Sequence, residues 1–156
     1  MISGNAKQTQ GVAKDLADEI LKKKSIRGIV VGLAGELGSG KTTFVQGFAK
    51  ALNIKTKIVS PTFVLMKKHE IRNPKSETNS KFKIKKFKTL IHIDVYRIKK
   101  SKEILDLGWK EIINDPQNII LIEWAEKIKK ILPKNCIIIN FKHINKNKRW
   151  IKIKKF

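Results

Sequence analysis

A chain of 156 residues and 17.9 kDa has the length of one domain with a single core and is long enough to bury that core without disulfide or metal staples. With 41% hydrophobic residues it has material for that core, while 35 Lys and Arg against 13 Asp and Glu give a net charge of +22 and point to acidic partners and acidic membranes. Only four of the 35 basic residues are Arg (27, 72, 97 and 149), which argues against base-specific DNA reading by planar guanidinium forks, and the wealth of Lys, Ile and Asn also fits a drift toward A/T-rich codons.

The opening MISGNAKQTQ has no apolar signal core, and no stretch approaches the roughly 18 apolar residues of a membrane span, so a soluble, cytoplasmic protein is expected. Residues 7–23 set Val12, Ala13, Leu16, Ala17, Ile20 and Leu21 on one helical face, opposite Lys14, Asp15, Asp18 and Glu19. Gly28 to Gly35 is a short apolar run of the kind that forms a strand covered on both sides. A glycine-rich turn follows, then a helix from Lys41 to Leu52 with Phe44, Val45, Phe48, Ala49 and Leu52 in a stripe. A short strand is expected at Lys57 to Val59, a turn at Ser60-Pro61, and strands at Thr62 to Met66 and Leu90 to Tyr96 that pair as a long hairpin. Between them, Arg72 to Lys88 carries seven basic residues against one acid, which predicts a Lys-rich hairpin extension at about 71–88 that is either solvated or a binding arm. Residues 102–113 predict one or two short helices broken at Gly108, and Asn118 to Ile122 another buried strand. Cys136 to Phe141 and Trp150 to Ile153 read as paired strands joined by a turn at Asn145 to Asn147. The lone Cys136, in an apolar run, is expected to be a buried, inert thiol. The predicted fold is α/β: one P-loop-like domain over 1–156, with a mixed sheet, parallel in front and antiparallel behind, flanked by helices.

Gly35-Glu36-Leu37-Gly38-Ser39-Gly40-Lys41-Thr42 matches GxxxxGK[ST] between a predicted strand and a predicted helix. Glycines there let backbone N–H groups converge on a phosphate, and the helix N-terminus adds a favourable dipole for the same anion. In such a site Lys41 reaches the β and γ phosphates of a nucleotide, and the Thr42 hydroxyl is a ligand for Mg²⁺. The metal also needs a carboxylate at the end of a neighbouring strand. Glu123, after IILI, is assigned to the metal, directly or through water; for it and for Asp94 the alternative is a surface acid that caps the next helix or pairs with a nearby Lys. Asp94, after IHID, is assigned to the γ-phosphate or the attacking water, on a strand that His92 marks as less deeply buried. His92 and His69 read as packing or surface residues. In Ser60-Pro61-Thr62-Phe63, Thr62 is either a sensor of the γ-phosphate and its metal or a plain turn residue.

Together GELGSGKTTFVQGFAKAL, SPTF, HIDVYR, LDLGW and LIEWAEKI, in this order, resemble the bacterial TsaE family, formerly YjeE, over about residues 9–133. The resemblance implies a small P-loop ATPase that supports formation of threonylcarbamoyladenosine beside the anticodon of tRNAs reading codons that begin with adenine. It implies ATP and Mg²⁺ as ligands, hydrolysis that is slow until partners dock, and the TsaD–TsaB heterodimer as those partners. Carried over by position, it assigns phosphate contacts to Gly38, Ser39, Gly40, Lys41, Thr42 and Thr43, metal ligation to Thr42 and Glu123, and the essential acid to Asp94. Thr9 matches a family threonine near the adenine, or is a helix cap. Trp124 faces nucleotide or partner, or is core, and Arg149 is a weaker match to a basic residue near the nucleotide. Two other functions compete. A small P-loop kinase needs an arginine lid that four scattered Arg do not supply, and a basic tRNA-binding module predicts steeply salt-dependent RNA affinity.

Overall fold

The computed structural model describes residues 1–71 and 87–154. The Lys-rich extension expected at about 71–88 therefore lies, but for its ends, outside the described residues. The described strands are β1 (Ile2–Ser3), β2 (Ile29–Ala34), β3 (Met66–Glu70), β4 (Thr89–Asp94), β5 (Asn118–Glu123), β6 (Ile137–His143) and β7 (Arg149–Lys154). They form one sheet in the order β1-β7-β6-β2-β5-β4-β3. The pairs β6–β2, β2–β5 and β5–β4 are parallel, and the two flanks, β3–β4 and β6–β7–β1, are antiparallel. This is the mixed α/β sheet that the sequence predicts.

The sheet is covered on both faces because its central strands carry apolar side chains on both, and alternation sends neighbours to opposite cores. Ile119 and Leu121 of β5, Val31 and Leu33 of β2 and Leu90 of β4 pack beneath helices α1 (Ala6–Lys22) and α2 (Lys41–Ala51). Ile120, Ile122, Val30, Ile91 and Ile93 pack beneath α3 (Lys102–Leu105), α4 (Trp109–Asn114) and a 3-10 helix (Ala125–Ile131). Gly108, at φ 79°, separates α3 from α4, as the sequence predicts. Helices α1 and α2 cross closely at Gly47, where a Cβ would fall 2.6 Å from the Gln10 Cα.

Three expectations are corrected. The strand expected at Thr62–Met66 begins only at Met66, because Leu65 adopts φ 60° and the Ser60 and Thr62 hydroxyls are drawn to Asp94 instead of a ladder. The strand expected at Lys57–Val59 does not join the sheet, and its Ile58 carbonyl accepts instead from Gln46 Nε2 at 3.2 Å. From Leu90 to Asp94 strand β4 is buried like β5, since the His92 ring has a hydrogen-bond acceptor inside the protein and is fully buried. Among the described residues no helix is long and apolar enough to cross a membrane.

Candidate functional site: a phosphate cradle at the strand ends

The loop from β2 to α2 turns through Gly38 at φ 73° and Gly40 at φ 102°, and Gly40 is the N-cap of α2. Left-handed backbone is open to glycine at little cost and strained for other residues, so the chain can bring the first turn of α2 directly against a cavity of about 340 Å³. That cavity is lined by Gly38 through Thr43 from the loop and helix, by Ser60 and Thr62, and by Asp94, Tyr96, Glu123 and Trp124 from the ends of β4 and β5. It sits beyond the carboxyl ends of parallel strands, where α/β sheets bind ligands.

Parallel register sets Asp94 directly beside Glu123. Alternation places His92 on the same face as Asp94, the face that also carries Leu90 toward α2. The Thr42 hydroxyl donates to Glu123 Oε2 at 2.8 Å, and His92 Nε2–H donates to Glu123 Oε1 at 2.9 Å. Because a carboxylate only accepts, Nε2 bears the hydrogen, and Nδ1 is buried without a partner. Asp94 Oδ2 accepts from the hydroxyls of Ser60 and Thr62, the latter at 2.8 Å, while Oδ1 accepts from the Tyr96 N–H at 2.8 Å. One carboxylate therefore holds the α2 terminus and the other holds the 60–62 loop.

Lys41 is 4% exposed and curls over its own loop, donating to the Gly35 and Glu36 carbonyls at 2.6 and 2.9 Å. Its ammonium also lies 3.7 Å from the centroid of the Trp124 ring, which in turn contacts Tyr96 at 4.9 Å between centroids. Burial lowers the Lys41 pKa from its ordinary value, and the nearby carboxylates of Glu123, Glu126 and Asp94 oppose that shift. Trp124 holds its ring there from a left-handed backbone, φ 65°.

A second cavity, of about 290 Å³, opens on the other side of Gly38, Gly40 and Thr43 and is lined by Asn5, Ala6, Thr9, Lys146, Asn147 and Arg149. Thr9 lies inside α1, whose N-cap is Asn5; it is 2% exposed and its hydroxyl is 2.8 Å from that of Ser3, so the cap alternative does not hold. Arg149 is held against the β6–β7 turn by bonds to the Asn145 and Lys146 carbonyls at 3.1 and 3.2 Å.

Thus every residue singled out as catalytic, metal-ligating or nucleotide-contacting borders one of two cavities that share the glycine loop: Thr9 and Arg149 on one side, Lys41, Thr42, Asp94, Glu123 and Trp124 on the other. The sequence reading missed His92, whose signal was its two-residue spacing from Asp94 on one strand face. It also missed Glu126, whose Oε1 is 3.4 Å from the Gly35 N–H. Arg97 is stacked over the exposed Phe63 ring at 4.3 Å rather than turned into the cavity. Cys136 is buried and its thiol is pushed up to about 11 by desolvation, an inert group as expected.

The donor set fits a triphosphate with a hard cation. The Ser39 hydroxyl is fully buried, lines the first cavity and has no partner, so it lacks an acceptor that a phosphate oxygen would supply. Thr42 and Glu123 offer two oxygens side by side, the ligand type that Mg²⁺ takes, with phosphate and water oxygens completing its shell.

The family model described as "Threonylcarbamoyl adenosine biosynthesis protein TsaE" matches residues 3–151. Relatives called tRNA threonylcarbamoyladenosine biosynthesis protein TsaE include one from Rickettsia typhi, 40% identical over 96% of this chain and 90% of its own length. Another, from Bacillus subtilis, is 34% identical over 94% of this chain and 79% of its own. The crystal structure of Bacillus subtilis YdiB superposes with a TM-score of 0.66 at 30% identity, covering 99% of this chain and 83% of that one.

Proposed function

Given that the chain belongs to the TsaE family, we propose that it is a Mg²⁺-dependent ATPase acting in tRNA threonylcarbamoyladenosine biosynthesis, with the TsaD–TsaB heterodimer as its partner. The observation that carries this reading is the convergence of the α2 N-terminus, Lys41 and the Thr42–Glu123 pair on one cavity. Phosphates enter against the loop amides, the nucleoside occupies the cavity bordered by Thr9 and Arg149, and Thr42 with Glu123 holds the metal. Held there, Mg²⁺ would supply neutralisation of the charge on the phosphates.

The protein's own side chains do the rest by placement and electrostatics. Lys41 leaves two carbonyls of its loop for phosphate oxygens, an exchange that trades neutral acceptors for charged ones. Asp94 exchanges the Ser60 and Thr62 hydroxyls for the attacking water, which frees the 60–62 loop to close on the γ-phosphate. Hydrolysis that needs this loop to be rearranged is slow in the isolated chain and faster when partners hold the loop.

The deciding experiment is phosphate release by the purified chain with and without candidate TsaD and TsaB proteins, beside binding of a fluorescent ATP analogue. Lys41→Ala is expected to lose both binding and turnover. Asp94→Asn is expected to bind nucleotide and turn over at least about a hundredfold more slowly, the scale of a lost acid–base or water-positioning group. Undiminished turnover by Asp94→Asn with partners present would remove that acid from the mechanism, and no nucleotide binding by the unaltered chain would end the reading.

A further inference from the structure

The acidic residues are not spread evenly. Residues 127–156 contain eleven Lys or Arg and no Asp or Glu, whereas the preceding 126 residues hold 24 basic and all 13 acidic side chains. Codon drift toward Lys accounts for many lysines everywhere but not for the loss of every acid from one stretch. In the fold that stretch gathers on one side: the 3-10 helix, β6, its turn and β7.

Ile139, Phe141, Ile151 and Ile153 point into the core beneath α1 and α2, so alternation turns Asn140, Lys142, Trp150, Lys152 and Lys154 to the opposite face. Near the 3-10 helix that face is partly covered, and the space between them is a cavity of about 380 Å³ bordered by Lys129, Lys134, Asn140 and Lys154, with Glu126 as its one acid. Farther along it is open. Lys142 lies directly across from Trp150, Asn140 across from Lys152, and Ile2 of β1, 64% exposed, flanks Trp150 on the other side. Lys142, Lys152 and Lys154 are exposed and make no ion pair among the described residues, whereas on and just after α1 Lys14 pairs with Asp18 and Lys23 with Glu19. A half-buried Trp on a strand face, ringed by unpaired lysines, combines the two elements that bind single-stranded nucleic acid: a stacking surface and a positive track for phosphates. We propose that the outer face of β6–β7, centred on Trp150, Lys142 and Lys152, binds RNA through its sugar-phosphate backbone with a base against Trp150. The site is distinct from the nucleotide cavities and does not depend on ATP turnover.

The test uses the full chain and an unmodified tRNA transcript in fluorescence anisotropy over a range of KCl concentrations. Lys142→Glu, Lys152→Glu and Lys154→Glu combined should weaken binding at least about tenfold at moderate salt and flatten the salt dependence by about two to three units of log–log slope. Lys7→Glu, Lys22→Glu and Lys24→Glu combined, the same change in net charge on and after α1, should leave both close to the starting values. Trp150→Ala should weaken binding with the slope unchanged, and Lys142→Gln, Lys152→Gln and Lys154→Gln combined give a milder set should the Glu variants misfold, as judged by circular dichroism. Equal losses in both charge-reversal sets would mean undirected attraction to a basic protein and overturn the proposal. So would absence of tRNA binding, or binding to phosphatidylserine vesicles but not to tRNA. Nucleotide binding measured in the same samples reports the other cavity separately, so failure here leaves the ATPase reading standing.

Discussion

At the residue scale, the buried His92–Glu123 pair shows what polar groups require inside a sheet. Glu123 is 2% exposed and His92 fully buried, so each satisfies a group that would otherwise be costly. His92→Leu should lower stability by about 1–3 kcal/mol, the usual penalty for leaving a buried acceptor without its donor. Because Glu123 is the proposed metal ligand, the same variant should also need more Mg²⁺ for half-maximal nucleotide binding. His92→Gln, which keeps a donor, should recover part of both, as urea titration and Mg²⁺-dependent fluorescence would show; a loss of stability with an unchanged Mg²⁺ requirement would make His92 purely structural. Cys136 offers a second check. Its thiol rises from an ordinary 9.0 to about 11 through burial. Between those values the unfolded chain has lost its thiol proton and the folded chain has kept it, so this group's contribution to stability falls as pH rises from about 9 to 11. At pH 8 a disulfide reagent should modify Cys136 only as fast as the protein opens, and at once in denaturant.

At the element scale, what was legible followed from how many residues share one rule. The strands β2 and β5 are almost continuous apolar runs, β4 is one interrupted only by His92, and α1 and α2 repeat an apolar stripe, so period and length identify them. The metal-side residues were legible for the same reason, since Glu123 and Asp94 end such runs and Lys41 and Thr42 begin a helix behind glycines. Where a few long-range bonds decide, the local pattern misleads. Thr62, Phe63 and Val64 have strand-forming side chains, yet the Asp94 carboxylate holds this segment as a loop and leaves Phe63 82% exposed. Two-residue β1 exists only because β7 offers it an edge. The α1–α2 crossing is likewise invisible in sequence but testable. In Gly47→Ala the gain in helix propensity, about 1 kcal/mol, is set against a methyl group 2.6 Å from backbone of the other helix. The helices must separate, so a net loss of about 1–3 kcal/mol in urea titration is expected. Thr9 on α1 should move away from the glycine loop with it, and nucleotide affinity should fall although no lining residue has changed.

At the scale of the whole molecule, a net charge of +22 acts on the fold as well as on partners. Folding compresses like charges into a smaller volume, and the ion pairs Lys14–Asp18 and Lys23–Glu19 that offset it are exposed i,i+4 pairs worth little individually. At low ionic strength repulsion among surface charges extends to roughly 30 Å, while near physiological salt it is cut to about 8 Å. The unfolding midpoint should therefore rise by several degrees as KCl goes from about 10 to about 200 mM, opposite to a protein stabilised by its surface ion pairs. ATP complicates this reading, because any polyanion relieves the same repulsion. The two effects separate at high KCl, where general attraction is screened and Mg-ATP at about 100 times its dissociation constant still stabilises by about 2.7 kcal/mol through site binding. Lys41→Ala should keep the whole KCl increment and lose the Mg-ATP increment. If instead ATP raised the midpoint of both proteins equally at high salt, the nucleotide would be acting on the charge of the surface and not in the cavity beneath α2.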